Sequence, residues 1–155
     1  MSGTVNQRLT DMGVELPNPA APAANYIPFI TTGNMIFVSG QITILNGELH
    51  YLGKVGDTLN VDDGYKAARI CAINLIAQVK EACFGDLDRV TQVVKLGGFV
   101  NCTPDFTDQP KVINGASDLI SEAFGDSGKH ARFAVGVSSL PMGVAVEVDG
   151  VFEIS

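Results

Sequence analysis

Between His130 and Glu153 two opposite charges, Arg132 and Glu147, stand in a run otherwise made largely of Ala, Val, Gly, Phe and Ser. An unpaired charge is expensive to bury in such surroundings. Either the two form a buried ion pair, or they face a cleft as a charge anchor and an acid–base group. Apolar and small residues alternate on both sides of Leu140-Pro141-Met142-Gly143, the period-two pattern of two strands. Folded as a hairpin about Leu140 and Pro141, this run brings Glu147 opposite or diagonal to residues 132–134. His130, two residues before Arg132, is a further candidate acid or base, although a lone histidine at a strand entry is more often a surface or hydrogen-bonded residue.

Other chemical constellations fail on spacing. Cys71, Cys83 and Cys102 are odd in number and lack CxxC spacing, and the only histidines are His50 and His130, so no metal-ligand set assembles and no cofactor is expected. Cys102 has no histidine near it in sequence and reads as buried rather than nucleophilic. Gly125-Asp126-Ser127-Gly128-Lys129 hints at a phosphate loop, but Ala123 occupies the place of the first glycine and the segment leaves a helix instead of a strand. No G-x-S-x-G elbow occurs.

The elements that must position Arg132 and Glu147 follow from periodicity and turn chemistry. Val5, Leu9 and Met12 mark a short amphipathic helix ending at Gly13, and Leu16 to Pro22 reads as an extended connector containing one PxxP, Pro19 to Pro22. β-rich runs at 26–32 and 35–40 flank Gly33-Asn34, and runs at 41–45 and 48–52 flank Asn46-Gly47. Asp62 or Asp63 caps a helix reaching Cys83 or Phe84, with Ala68, Cys71, Ala72, Leu75, Val79 and Ala82 on one face. Residues 90–100 form a nearly continuous apolar strand suited to a sheet interior, and a second long helix runs from about Pro110 to Phe124, ended by Gly125. The chain thus divides into an N-terminal helix and Pro-rich connector, residues 1–23, and a single domain, residues 24–155. Its order, ββ(β)αβαββ, predicts an α+β fold, one sheet with two helices packed on one face.

At 155 residues, this is one domain's worth of chain. It is 46% hydrophobic and only 17% charged, so the sheet face left bare by the helices is expected to be covered by another subunit. A net charge of −7 without a Lys/Arg cluster argues against nucleic acid and for a small-molecule partner. With no membrane span and no apolar leader at the N-terminus, a cytoplasmic location with reduced thiols is expected.

Taken together, Ser39-Gly40-Gln41 after a strand, a helix of about twenty residues, the Leu87-Asp88-Arg89-Val90 entry to the long strand, Arg132 followed by Leu140-Pro141, and Val146-Glu147-Val148 resemble the RidA family, also called YjgF or endoribonuclease L-PSP. The resemblance covers residues 24–154. It implies a chorismate-mutase-like fold assembled as a homotrimer, with clefts between subunits. It also implies hydrolysis of reactive enamine/imine intermediates such as 2-aminoacrylate to 2-keto acids and ammonia. On the matching positions, Arg132 is the arginine that grips a substrate carboxylate, a task suited to its planar fork, and Glu147 the acid that orients water. Tyr26, Ser39 and Asn114 are ligand-binding side chains, and the backbone around Ala134 faces the ligand. Ala134 replaces a common cysteine and Ser117 a common tyrosine, which points to a side branch with a different or larger ligand. A non-catalytic trimer binding a small carboxylate metabolite is the alternative. Ribonuclease activity fits the acidic chain less well.

Overall fold

The computed structural model describes residues 3–19 and 25–155. Helix α1, Thr4–Asp11, buries Val5 and Leu9, and Gly13, at φ 72°, turns the chain away as expected. Gly3 offers α1 no capping side chain; instead the Asp88 carboxylate accepts from the backbone N–H groups of Thr4 and Val5 at 2.8 and 3.0 Å. Residues 16–19 form no regular element, and Leu16 packs on the core. The remainder of the Pro-rich connector, with Pro22 of the PxxP, lies outside the described residues.

Strands β1, Phe29–Thr32, and β2, Met35–Gln41, pair antiparallel through Gly33-Asn34. β1 begins three residues later than the sequence suggests, because Pro28 has no N–H to give a ladder. Asn46 and Gly47, both at positive φ, close a separate small ribbon of β3, Ile44–Leu45, and β4, Glu48–Leu49. Helix α2, Val61–Ala82, is capped by Asn60 rather than by an aspartate. Asn60 Oδ1 accepts from Asp63 N–H at 2.8 Å, and the Asp63 carboxylate accepts from Asn60 N–H at 3.0 Å. The predicted stripe, Cys71 included, is buried.

Strand β5, Val90–Asn101, is followed by α3, Gln109–Phe124, with Pro110 in its first turn and Gly125 at φ 61° ending it. The chain closes with β6, Ala131–Val137, and β7, Val146–Ile154. The sheet order is β1-β2-β7-β5-β6, mixed, with β5 and β6 parallel and the other pairs antiparallel.

This order overturns the expected β6–β7 hairpin. The two strands lie on opposite edges of β5, and Leu140 to Gly143 is part of a crossover, with Met142 and Gly143 at positive φ. The physical reason lies in β5: a long buried strand must pair both of its edges. Sequence alternation identifies strands but not their partners.

Helices α2 and α3 cover one face, where Leu96, Val100, Val146, Val148 and Phe152 are fully buried. Each such side chain contributes roughly 1.5–3 kcal/mol. Gly115 lets the helices cross closely, since a Cβ there would run into the Tyr65 carbonyl. The other sheet face carries Ile30, Phe37 and Val135, 54%, 45% and 42% exposed, with Phe99 and Phe133 in edge-on contact between them at 5.2 Å. The α+β architecture with two helices on one face is as the sequence implies.

Candidate functional site

Alternation along β7 places Val146 and Val148 in the helix-covered core, which leaves Glu147 on the open face. Its carboxylate is half-buried and has no hydrogen-bond or ion-pair partner among the described residues. Burial, and secondarily the charge of Asp149, holds its pKa above the usual carboxylate range. The carboxylate rests against Gly40: a Cβ built there would lie 2.6 Å from Glu147 Oε2. Gly40 sits in a bulge of β2, between the Val38–Gly150 and Gln41–Val148 pairs, and bulges of this kind re-aim neighbouring side chains.

Beside the bulge, Tyr26 and Ser39 line one groove of ≈ 280 Å³ with Ile27, Phe29, Ile30, Phe37 and Val38. Ser39 Oγ donates to the Ile27 carbonyl at 2.8 Å and fixes the segment that carries Tyr26. Tyr26, Ser39 and Glu147 therefore belong to the β1–β2–β7 side of the molecule.

Arg132 belongs to the other side. It is in register with Leu96 on the helix-covered face of the sheet, at the edge strand β6. Its Nη1 donates to Ser117 Oγ at 3.0 Å and its Nη2 to the Pro110 carbonyl at 3.1 Å, so α3 holds the guanidinium fork. Asn114, exposed, falls between Pro110 and Ser117 on the same helical stripe. Ala134 lies two residues along β6 with its methyl against the core, on the strand that is the edge of the sheet among the described residues. Ser117 Oγ also meets His130 Nε2 at 2.8 Å, and His130 Nδ1 meets the Gly128 carbonyl at 2.6 Å.

Arg132 and Glu147 thus do not meet within the chain. They lie on opposite faces, two strand spacings apart across β5 and three residues apart along it, roughly 10 Å in each direction. Neither the expected cross-strand juxtaposition nor the buried ion pair exists; the ion pairs among the described residues are Lys66–Asp62, Lys111–Asp108 and Lys129–Asp126. Sequence reasoning missed the Arg132–Ser117–His130 network, because a serine mid-helix and a histidine at a strand entry show no mutual spacing signal. It also missed the role of Gly40, whose only mark was its place in Ser39-Gly40-Gln41.

Among the described residues no thiol hydrogen-bonds a side chain of either cluster, although the charge of Glu147 adds to the burial that acts on Cys71. Cys71 is fully buried and burial pushes its thiol far up; Cys83 and Cys102 are also buried. Among the described residues no group of three or more His, Cys, Asp or Glu is placed to hold a metal, and no helix is long and apolar enough to cross a membrane.

The family model described as "YjgF/chorismate mutase-like, putative endoribonuclease" matches residues 6–151. The chain is 48% identical over 155 residues to protein TCP17 of Trypanosoma cruzi, covering 99% of this chain and 96% of that one. It is similar to the crystal structure of protein Atu1372 of Agrobacterium tumefaciens, with TM-score 0.93 and 44% identity over 98% of this chain and 93% of that one. It is also similar to a structure described as "a putative endoribonuclease" from Shewanella oneidensis, with TM-score 0.94 and 38% identity, covering 98% and 100%. Coverage of 98% leaves room for only a few unmatched residues, so both solved structures extend over α1.

Proposed function

Since the chain belongs to the YjgF/chorismate mutase-like family, we propose that it is an enamine/imine deaminase whose clefts form between subunits of a homotrimer. The observation that carries this reading is the separation of two complementary half-sites. One is a carboxylate on the open face without a hydrogen-bond or ion-pair partner among the described residues; the other is a guanidinium fork held at the opposite edge. Only a second copy of the chain brings an Arg132 against a Glu147, and the apolar open face around Phe37 and Val135 supports such an assembly.

The chemistry asks little of the protein. The substrate carboxylate binds the guanidinium fork, whose plane α3 fixes in advance through Ser117 and Pro110. Water held by the Glu147 carboxylate adds to the C=N carbon and loses a proton to it. That proton passes to the nitrogen to give the neutral carbinolamine, whose hydroxyl proton then follows through the same carboxylate as the C–N bond breaks, giving keto acid and ammonia. A carboxylate with a raised pKa is a stronger base for taking the proton from water, and its acid form is still more acidic than the amine nitrogen that receives the proton. Tyr26 and Ser39 line the wall beside Glu147, and Asn114 lies beside Arg132 on the α3 stripe.

The test is release of 2-keto acid and ammonia from freshly generated 2-aminoacrylate, compared with Arg132→Ala and Glu147→Gln. Both variants should lose the acceleration while keeping fold and assembly. No acceleration by the wild type would refute the deaminase and favour a carboxylate-binding trimer. One observation supports that second reading: Ser39 spends its hydroxyl on Ile27, and the thiols are buried, so neither is free to act beside Glu147.

A further inference from the structure

Ser117 joins Arg132 to a histidine that the proposed reaction does not use. His130 Nδ1 lies 2.6 Å from the Gly128 carbonyl oxygen, which can only accept, so Nδ1 carries a proton. In the neutral imidazole Nε2 is therefore an acceptor. Ser117 must give its single hydroxyl proton to Nε2, 2.8 Å away, while its lone pairs receive Arg132 Nη1 at 3.0 Å. In that state Ser117 offers only lone pairs to an anion held by Arg132. Protonation of Nε2 reverses the bond: the imidazolium donates to Ser117 Oγ, and the hydroxyl proton is free to turn toward the anion.

We propose that Ser117 and His130 make the anion site at Arg132 proton-coupled: a small carboxylate binds with uptake of one proton by His130, and Ser117 becomes its second donor. This rests on the reading of Arg132 as the carboxylate anchor. It assigns His130 and Ser117 as positioning residues of that site.

The surrounding charges leave the exchange to these three side chains. On the segment leading into β6, Lys129 pairs with Asp126 at 3.9 Å. At the start of α3 Lys111 pairs with Asp108 at 3.5 Å, farther along Asp118 accepts from the Tyr65 hydroxyl at 2.7 Å, and Glu122 lines a groove with Arg8, Asp11 and Met12. On β5, Gln92 is neutral and Lys95 lies over the Phe133 ring on the open face. An anion at Arg132 therefore brings a new negative charge within two hydrogen bonds of the imidazole, which favours its protonated form.

The sign follows from linkage. The protonated form binds the anion more tightly, so affinity falls as pH rises, by at most tenfold per pH unit for one linked proton. Histidine is the residue type whose ordinary titration lies between pH 5 and 8.

The experiment is calorimetric titration of the assembled protein with pyruvate as probe, from pH 5.5 to 8.5, in two buffers of different ionisation heat at each pH. Wild type should take up a fraction of a proton per pyruvate that varies with pH across the range. Ser117→Ala should bind more weakly with no pH dependence. His130→Gln, a neutral donor in place of the imidazolium, should bind without proton uptake. Binding by wild type with no proton uptake, or uptake undiminished in both variants, overturns the coupling and leaves the anchor standing. Pyruvate binding that persists in Arg132→Ala, or none by wild type across the range, overturns the anchor and the coupling with it.

Discussion

Gly40→Ala tests whether the position of the Glu147 carboxylate sets the rate. Gly40 does not occupy the left-handed region, so alanine meets no backbone strain there and the effect is one of space alone. The added Cβ would lie 2.6 Å from Glu147 Oε2 and 3.0 Å from its Cδ, against 3.4 Å for the near limit of ordinary contact. The carboxylate must therefore retreat by 3.4 − 2.6 = 0.8 Å. It can, because it is the far end of a flexible side chain. A displacement of about 1 Å costs roughly 10²-fold in rate when a group must be held in a near-attack geometry, equivalent to about 2.7 kcal/mol of transition-state stabilisation. The expected result is kcat on 2-aminoacrylate lowered about a hundredfold, with KM changed much less because Arg132 is untouched, and an unfolding midpoint close to wild type. The assay is coupled detection of keto acid beside a thermal melt and sedimentation. A kcat within threefold of wild type, with the fold and assembly intact, would refute the assignment of Glu147 to the chemical step.

Glu147→Gln should abolish turnover yet stabilise the fold. The folded-state pKa of Glu147 is raised, so ionising it costs stability as pH rises from its unfolded titration through its folded one; the variant's gain should be absent near pH 3.5 and present near pH 8, read as the difference in Tm. Asp88→Ala removes both acceptors at the N-terminus of α1 and should cost about 1–2 kcal/mol, the range of a lost helix cap, with hydrogen exchange over residues 4–11 accelerated before the rest of the domain. Phe37→Asp places a charge on the open sheet face and should shift sedimentation toward monomer and lower activity in the same proportion, while near-ultraviolet spectra stay unchanged. Unchanged activity in a monomeric Phe37→Asp would refute a cleft built between subunits.

Much of the fold was readable locally. Period-two and period-3.6 patterns, the glycines at 13, 33, 47 and 125, and Pro110 mark elements whose causes lie within a few residues of themselves, so helices α1, α2 and α3 and the turns of both ribbons fell close to where the sequence placed them. The cap of α2 was misread by two or three residues because Asn60, Asp62 and Asp63 all suit a helix start, and only the reciprocal bonds between Asn60 and Asp63 choose among them.

Arg132 and Glu147 were legible as residues, since charges in an apolar run stand out, but their relation was not. Strand pairing depends on which edges of β5 need partners, a question settled by the whole sheet rather than by the Leu140-Pro141 turn. The same holds for Asp88 capping a helix more than eighty residues earlier, for His130 meeting Ser117, and for Gly40 making room for a carboxylate. By itself the sequence determined the elements and the chemical groups, because those follow from local backbone preference and side-chain type. Only the tertiary structure decided that the two charges face opposite ways, because the side of a sheet on which a residue lies, and what it meets there, is set by register and strand order across the chain.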